Sequence, residues 1–262
     1  MTQLNKKLIS CIAVVFAGLI GPVWAQLDHV TVRPPATNVI VPQNRAHAFA
    51  PRFTTYLSEI KELMQQKWPN NRTVNIVCHG HSVPAGYFKT PVVDTFNAYP
   101  HLLHEALKKK YPFAVINVIV TAIGGETSDS GERRFEKDVL SHRPDVITID
   151  YALNDRRIGL NKSREALTSM IEQARSRGIK VILLTPTGDL SADLGNPEDP
   201  LNRHAELIRD LAQSRGIGLA NSLEEFRAYI SNGGRMEDLM SQGNHPNRKG
   251  HELVVKVLTD WF

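Results

Sequence analysis

The chain is poor in cysteine, with two in 262 residues. Cys11 lies in an N-terminal segment typical of a cleaved leader, so Cys78 is the one cysteine expected in the mature chain and no intrachain disulfide is predicted. The sequence also lacks an apolar run of the ~20 residues that a membrane-spanning helix needs. The mature domain must therefore be stabilised by its core, and no stable membrane anchor is predicted.

Runs of basic residues are missing as well. Lys and Arg (31) slightly exceed Asp and Glu (27), which gives a formal charge of +4. Removal of the leader lysines lowers that charge to about +2, a balance that does not point to a nucleic-acid partner. Low-complexity tracts and internal repeats are also absent, and the hydrophobic content (42%) and charged content (22%) are ordinary for a globular domain.

The N-terminus is typical of an exported protein. Lys6 and Lys7 precede an apolar run over residues 8–20, and the small residue Ala25 suits cleavage by a signal peptidase. A membrane anchor is the less favoured alternative, because a run of about 13 residues is too short to span a bilayer. We therefore expect a signal peptide over 1–25 and a periplasmic or secreted product.

Strand and helix patterns alternate after the leader. We expect an extended lead-in over 26–52 and one domain over 53–262. Five continuously apolar strands separated by helices predict a parallel sheet covered on both faces, which is an α/β fold with a three-layer α/β/α sandwich. The first strand is predicted to end at Ser82, and four more strands are predicted at 113–122, 146–151, 180–184 and 217–220. The helices are predicted at 53–68, 99–110, 134–141, 164–177, 201–215, 223–230 and 248–262.

Polar residues without an obvious structural duty follow several of these strands. Ser82 lies in a glycine-rich turn at the end of the first strand, and later segments contribute Gly125, Glu126, Asn154 and His245. The carboxyl ends of parallel strands share one edge, where ligands bind. A serine, a histidine and amide donors are what acyl transfer requires, since the histidine takes the serine proton and the amides stabilise the oxyanion.

These segments resemble the four sequence blocks of the SGNH (GDSL-type) hydrolases, which supply Ser, Gly, Asn and His in that order. The resemblance covers most of residues 73–262 and implies a flavodoxin-like sandwich. It also implies that Ser82 is the nucleophile, that His245 is the general base, and that Gly125 and Asn154 serve the oxyanion. A serine ester hydrolase with neither a metal nor an organic cofactor is the expectation.

The chain departs from the family pattern at three positions. His81 precedes the nucleophile where the family commonly has Asp, and Ala152 replaces a glycine. Gln242 lies three residues before the histidine, where the family usually has the Asp that orients the imidazole. A neutral amide at that position costs about 10⁴-fold in a well-studied protease. Asp238, Glu237 or a backbone carbonyl are the alternatives for orienting the histidine.

For substrate contacts we name His81, Glu126 and Arg156 from their positions, and the Arg156–Arg157 pair that follows Asn154-Asp155 suits an acidic or polyhydroxylated substrate. Gly124 is an alternative to Gly125, because either glycine suits a positive φ. Export and the lack of a long apolar lid favour a small-molecule or glycan ester, with carbohydrate O-deacetylation preferred. A lipase or thioesterase activity is the alternative, and the sequence does not predict the oligomeric state.

Other functional classes compete with this interpretation. The same fold would serve as a binding protein for a sugar or acyl ligand if Gln242 left the histidine inactive. His79 and His81 form a pair with which some metal-dependent hydrolases begin, although later strand ends offer few further ligands. Cys78 precedes the turn on the strand, where a buried and inert thiol is usual.

Overall fold

The structure is a computed structural model that describes residues 55–262. The predicted signal peptide (1–25) and lead-in (26–52) lie outside the described residues. The helices are α1 Ser58–Gln65, α2 Ser82–Ala85, α3 Tyr99–Lys110, α4 Ser128–Arg133, α5 Phe135–Asp138, α6 Ala152–Asp155, α7 Leu160–Arg175, α8 Pro200–Arg215, α9 Ser222–Ser231 and α10 Arg248–Thr259. The strands are β1 Thr73–Gly80, β2 Val115–Val120, β3 Val146–Asp150, β4 Lys180–Leu184, β5 Gly218–Ala220, β6 Met240–Gln242 and β7 His245–Pro246.

A five-stranded sheet of order β2-β1-β3-β4-β5 forms the centre of the domain, and each neighbouring pair is parallel. This strand order is that of flavodoxin-like folds. The predicted three-layer α/β/α sandwich with five strands is therefore confirmed. The strand order reverses between β1 and β3, so ligands are expected outside the carboxyl ends of these two strands.

The core lies on both faces of the sheet because successive side chains of a strand point to opposite faces. Ile76 and Cys78 of β1 belong to one apolar cluster, which includes residues of α1, α3 and α10. Val77, which lies between them, belongs to a second cluster with residues of α7 and α8. Full burial of one such aliphatic side chain contributes roughly 1.5–3 kcal/mol. The flat apolar strands in the sequence are thus explained by burial on both sides.

Several elements differ from the prediction in their bounds, and one predicted helix is interrupted. The helix expected over 134–141 is replaced by the four-residue α5 and a 3₁₀ turn over Leu140–His142. Arg134 lies between α4 and α5, where its side chain bonds the Glu126 carboxylate, and such side-chain contacts outweigh local helix propensity. The β6–β7 hairpin was not predicted, because strands of two or three residues carry too little pattern. Within the described residues, no helix is long and apolar enough to cross a bilayer.

Candidate active site

Ser82 lies at the first position of α2, directly after β1. Gly80, the last residue of β1, pairs with Asp150 of β3, and a Cβ at Gly80 would lie 2.4 Å from the Asp150 carbonyl oxygen. Only glycine therefore allows the chain to turn this close to β3. The turn places the Ser82 hydroxyl at the carboxyl edge of the sheet, with 5% of the residue exposed.

His245 reaches the serine from the other end of the chain. It begins β7, and the hairpin with β6 places it opposite Gln242. The His245 Nε2 atom lies 2.9 Å from Ser82 Oγ, across 163 residues of sequence. This distance is that of a hydrogen bond between a nucleophile and its general base. The predicted pair of Ser82 and His245 is brought together.

A backbone carbonyl orients the His245 ring. His245 Nδ1 lies 2.9 Å from the Phe88 carbonyl oxygen. The two acids considered from the sequence are elsewhere, since the Asp238 carboxylate accepts from the Arg235 backbone N–H at 3.0 Å and the Glu237 side chain is exposed. Of the alternatives for the absent Asp, the geometry selects the backbone carbonyl.

Gln242 competes with that carbonyl for the same ring nitrogen. Its Nε2 atom lies 2.8 Å from His245 Nδ1, and its Oε1 atom accepts from the Thr90 backbone N–H at 2.9 Å, which fixes the orientation of the amide. A proton on Nδ1 is donated to Phe88 and leaves Nε2 free to accept from Ser82. A proton on Nε2 instead lets Nδ1 accept from Gln242. The first tautomer alone makes His245 a general base for Ser82.

Burial lowers the pKa of His245, and the hydrogen bond to the Phe88 carbonyl opposes that effect. Burial disfavours the charged imidazolium because it removes the ring from water. Among the described residues, no carboxylate bonds Nδ1 to offset this loss. His245 is therefore kept neutral at neutral pH, which is the state that accepts a proton.

Gly125 lies on the loop between β2 and α4 with a φ of 77°, a conformation that favours glycine. Its carbonyl oxygen accepts from the Arg157 guanidinium, and the Glu126 carbonyl oxygen accepts from Asn154 Nδ2 at 2.9 Å. Among the described residues, the backbone N–H groups of Ser82 and Gly125 donate no hydrogen bond. These amides, with the second hydrogen of the Asn154 amide, are the available donors for an oxyanion.

Gly124 has a different duty. A Cβ at this position would lie 2.8 Å from the Tyr87 ring, whereas the corresponding space at Gly125 is open. The Tyr87 ring also lies 6.0 Å from the His245 ring, measured between centroids. Gly124 thus lets the tyrosine pack between the loop and the histidine, and Gly125 remains the better candidate for the oxyanion.

Arg157 and the Phe88 carbonyl are the two groups that sequence reasoning missed as individuals. The basic pair at 156–157 was noticed, but Arg156 was chosen for a substrate contact. The second arginine instead fixes the carbonyl of Gly125. A peptide oxygen such as that of Phe88 carries no residue-type signal, so no pattern in the sequence identifies it.

The Glu126 side chain points into the protein and makes only internal contacts. Its carboxylate accepts from the Tyr151 hydroxyl at 2.8 Å and from Arg134 Nε at 2.8 Å. Only 8% of that side chain is exposed. The Glu126 carboxylate therefore has its own partners inside the protein, and a substrate contact by Glu126 stays a prediction.

His79 belongs to the same internal network. Its ring nitrogens lie 2.9 Å from Thr121 Oγ1 and 3.0 Å from the Tyr151 hydroxyl. Burial lowers the pKa of His79 to about 4, and burial also raises the pKa of the Cys78 thiol to about 12. In residues 55–262 no three His, Cys, Asp or Glu side chains converge as metal ligands. Neither the metal hydrolase nor the thiol alternative gains support from this geometry.

Arg156 is held by an ion pair with Asp189. Its guanidinium bonds Asp189 Oδ2 at 2.5 Å, and its Nε atom donates to the Leu153 carbonyl at 2.8 Å. Asp189 also lines an open depression of about 440 Å³ with Leu190, Ser191, Gly243 and Asn244. Gly243 and Asn244 belong to the hairpin turn that precedes His245. Arg156 therefore bonds one residue of this depression, and its contact with a substrate stays a prediction.

Comparison with known proteins identifies the family of the chain. A sequence model described as the GDSL-like lipase/acylhydrolase family matches residues 78–253. The chain is 24% identical over 179 residues to an uncharacterized lipoprotein of Bacillus subtilis strain 168, which covers 55% of this chain and 73% of that protein. It is 22% identical over 167 residues to an acetylxylan esterase of Geobacillus stearothermophilus, covering 58% of this chain and 74% of the enzyme.

Solved structures share the fold. The crystal structure of that acetylxylan esterase matches with a TM-score of 0.62 and 20% identity, over 72% of this chain and 94% of the enzyme. A two-domain esterase active on acetylated mannans matches with a TM-score of 0.65 and 20% identity, over 79% of this chain and 52% of that protein. Catalytic mutants of the acetylxylan esterase replace a serine, a histidine, and an aspartate three residues before that histidine. In this chain Gln242 is three residues before His245.

Proposed function

The chain belongs to the GDSL-like lipase/acylhydrolase family and is by class a serine carboxylic ester hydrolase, and from this premise we propose that Ser82 is its nucleophile and His245 its general base. The observation that carries the proposal is the 2.9 Å contact between His245 Nε2 and Ser82 Oγ. A serine is a weak nucleophile at its own pKa and needs such an adjacent base.

The reaction would proceed in two steps through an acyl-enzyme. Ser82 Oγ attacks the ester carbonyl carbon while His245 Nε2 takes the hydroxyl proton. The tetrahedral intermediate then expels the alcohol, and His245 returns the proton to the leaving oxygen. In the second step His245 deprotonates a water molecule, which attacks the acyl carbon. The second tetrahedral intermediate then breaks its bond to Ser82 Oγ and releases the carboxylic acid, while His245 returns the proton to Ser82 Oγ.

The oxyanion of each intermediate would be stabilised by the N–H groups of Ser82 and Gly125 and by the Asn154 amide. The first two donors have no other acceptor among residues 55–262. Arg157 and Asn154 bond the carbonyls of Gly125 and Glu126, so the loop is already oriented before a substrate binds. Preorganised donors of this kind cost no reorganisation at the moment of reaction, and one of them is worth roughly 10²–10³ in kcat.

For the substrate we infer a short acyl ester, favouring acetate on a carbohydrate. The depression that reaches the hairpin turn before His245 is open, and it is lined by Asp189, Leu190, Ser191, Gly243 and Asn244. An open site of this kind leaves room for a large alcohol group such as a glycan. The names of the relatives add support, since one is an acetylxylan esterase and another an esterase active on acetylated mannans.

Export is part of the same proposal, because polymeric glycans lie outside the cytoplasm. The support is the leader-like pattern of residues 1–25 and the description of one relative as a lipoprotein. Expression in a bacterial host followed by N-terminal sequencing tests it. Processing gives a chain that begins at Gln26, whereas an intact N-terminus in the cytoplasmic fraction contradicts the proposal.

The catalytic proposal is tested with p-nitrophenyl acetate, comparing the mature chain with Ser82→Ala. Loss of the hydroxyl removes the nucleophile, so turnover should disappear while the melting temperature stays within a few degrees. Ser176→Ala is the matched control, because its hydroxyl is exposed at the end of α7 and bonds only the Gln173 carbonyl. Undiminished turnover by Ser82→Ala would contradict the assignment.

The substrate class needs a separate measurement. Acetate release from acetylated xylan and mannan is compared with hydrolysis of p-nitrophenyl butyrate and octanoate. Release of polysaccharide acetate with falling kcat/KM as the acyl chain lengthens supports carbohydrate deacetylation. Preference for octanoate with no acetate released favours the lipase or thioesterase alternative.

A further inference from the structure

A second histidine lies against the nucleophile. His81 immediately precedes Ser82, and its Nδ1 atom lies 3.4 Å from Ser82 Oγ. The side chain is 1% exposed and faces Asp150, the last residue of β3, which is 2% exposed. The distance from His81 Nε2 to Asp150 Oδ1 is 3.4 Å. His81 therefore lies between the buried Asp150 carboxylate and the Ser82 hydroxyl.

The hydrogen bonds of His81 fix which ring nitrogen carries its proton. Nδ1 accepts from the Val83 backbone N–H at 3.2 Å, and a backbone N–H is only ever a donor. Nδ1 must therefore present a lone pair, and the ring proton is on Nε2, the atom that faces Asp150. Only this tautomer of His81 keeps the bond to Val83 and places the ring N–H on the atom nearest the Asp150 carboxylate.

This tautomer matters to Ser82 because its hydroxyl has one proton and two neighbouring imidazoles. His245 Nε2 is 2.9 Å away, and His81 Nδ1 is 3.4 Å away. The lone pair of His81 Nδ1 is already used by Val83. The Ser82 proton is left with a single good acceptor, which is the base His245.

Asp150 is tied to the nucleophile turn in a second way. Its backbone carbonyl accepts from the His81 N–H at 3.3 Å, next to the close approach of Gly80. Burial and the nearby Asp150 carboxylate raise the pKa of Tyr99. Among the described residues, the Tyr99 hydroxyl, the Thr148 hydroxyl and His81 Nε2 have no hydrogen-bond partner. A buried acceptor amid buried donors is costly to remove or to discharge.

We propose that His81 and Asp150 are positioning residues for the nucleophile. Asp150 keeps the proton of His81 on Nε2, and His81 Nδ1 then caps α2 at Val83 and directs the Ser82 proton to His245. The proposal rests on the proposed function, because it concerns the reactivity of Ser82. Neither residue touches the substrate in this role.

The test measures the reactivity of Ser82 as well as turnover. His81→Ala removes the cap, so kcat for p-nitrophenyl acetate should fall about 10- to 100-fold while KM changes little, since a displaced nucleophile costs up to roughly 10²-fold. The rate of labelling of Ser82 by a fluorophosphonate should fall by a similar factor. His101→Ala, at a half-buried histidine paired with Glu105 on α3 and distant in sequence from the site residues, is the matched control.

Conservative variants separate this role from simple packing. His81→Asn offers an oxygen to Val83 and should recover most of the labelling rate. His81→Asp also offers a cap but faces Asp150, so it should recover less, and the double variant His81→Asp with Asp150→Asn should recover more than His81→Asp alone. Equal labelling by His81→Asn and His81→Asp would show that the carboxylate has no part.

Failure of this inference differs from failure of the proposed function. If Ser82→Ala is inactive and unlabelled while His81→Ala keeps the wild-type labelling rate and kcat, His81 is not a positioning residue and Ser82 remains the nucleophile. If Ser82→Ala retains turnover, the catalytic assignment itself is wrong. If His81→Ala loses its folding transition as well as its labelling rate, His81→Asn decides the question. This variant keeps the cap and must restore both the folding transition and the labelling rate.

Discussion

The two histidines beside Ser82 are oriented by different chemistry. His245, the base, has Nδ1 against the neutral Phe88 carbonyl and the neutral Gln242 amide. His81 has the buried carboxylate of Asp150 opposite its Nε2 atom. Each ring has one nitrogen directed at Ser82 and the other at a partner. A serine hydrolase usually has a carboxylate next to its base, whereas here the carboxylate lies next to the other histidine, His81.

This difference separates two tasks that a catalytic carboxylate performs together. A carboxylate selects the tautomer of the imidazole, and it also stabilises the imidazolium that forms during the reaction. The Phe88 carbonyl performs the first task, since it accepts from Nδ1–H, but it carries no charge for the second. Gln242 works against the first task because its bound amide donates to the same nitrogen. The site therefore has the geometry of a base without its full electrostatic support.

The largest effect should come from removing the base. His245→Ala leaves Ser82 with no acceptor aligned for its proton, and kcat should fall roughly 10²–10⁴-fold, the usual contribution of general base catalysis. The measurement is the kcat for p-nitrophenyl acetate, with added imidazole expected to restore part of it. An unchanged rate would mean that His81 is the base, which would reverse the comparison between the two histidines.

A smaller effect, and a gain, is expected from Gln242→Glu. One carboxylate oxygen can accept from the Thr90 N–H while the other accepts from His245 Nδ1–H, so competition for the tautomer ends and the imidazolium gains a counter-charge. We expect kcat to rise about tenfold, a fraction of the 10⁴-fold that a triad carboxylate is worth elsewhere. Steady-state kinetics test it, with Glu237→Gln as a control for charge at an exposed site. A rate at or below wild type would show that Gln242 does not compete for the tautomer.

The smallest effect is a shift in the pH profile. Burial lowers the pKa of His245. As the pH increases, the wild-type kcat/KM should therefore rise with a midpoint below the ordinary histidine pKa of about 6.5, because the base is protonated and inactive at lower pH. The other titratable neighbours of His245 are His81 and His251, and burial lowers the pKa of His251 to about 3. In Gln242→Glu the midpoint should move to higher pH, because an adjacent negative charge favours the imidazolium.

The profile is read from kcat/KM between pH 4 and 9, since this ratio reports the free enzyme. A wild-type midpoint above about 6.5 would contradict a base shielded from water without a carboxylate. A midpoint that does not move in Gln242→Glu would place the new carboxylate away from Nδ1.

Much of the fold could be predicted from local sequence patterns. The helix over Tyr99–Lys110 and the strand over Lys180–Leu184 have the predicted bounds, because a clear apolar stripe or a β-branched run marks each of them. The predicted helix at 134–141 is wrong in its bounds, since the helical run is interrupted at Arg134, whose side chain pairs with Glu126 eight residues earlier. Short elements such as β6 and β7 escape prediction because two or three residues hold no period.

At the candidate site, residue type and order predict Ser82, Gly125, Asn154 and His245 as the catalytic residues. Their proximity follows from topology, because parallel strands deliver their ends to one edge of the sheet. Glu126 and Arg156 were chosen for substrate contacts on position alone. Glu126 pairs with Arg134, and Arg156 pairs with Asp189. Neither pair has a sequence spacing that is typical of a known motif, so the sequence did not predict them.

The sequence by itself determined the alternation of strands and helices, the glycine turn that displays Ser82 and the absence of the usual acid before His245. These are local properties, since each depends on residue types within a few positions. The tertiary structure decided which groups hold the two imidazoles. Phe88 lies 157 positions from His245 in the chain and contributes only a peptide oxygen, which every residue has. Asp150 closes β3, and only the pairing of β1 with β3 brings it to His81.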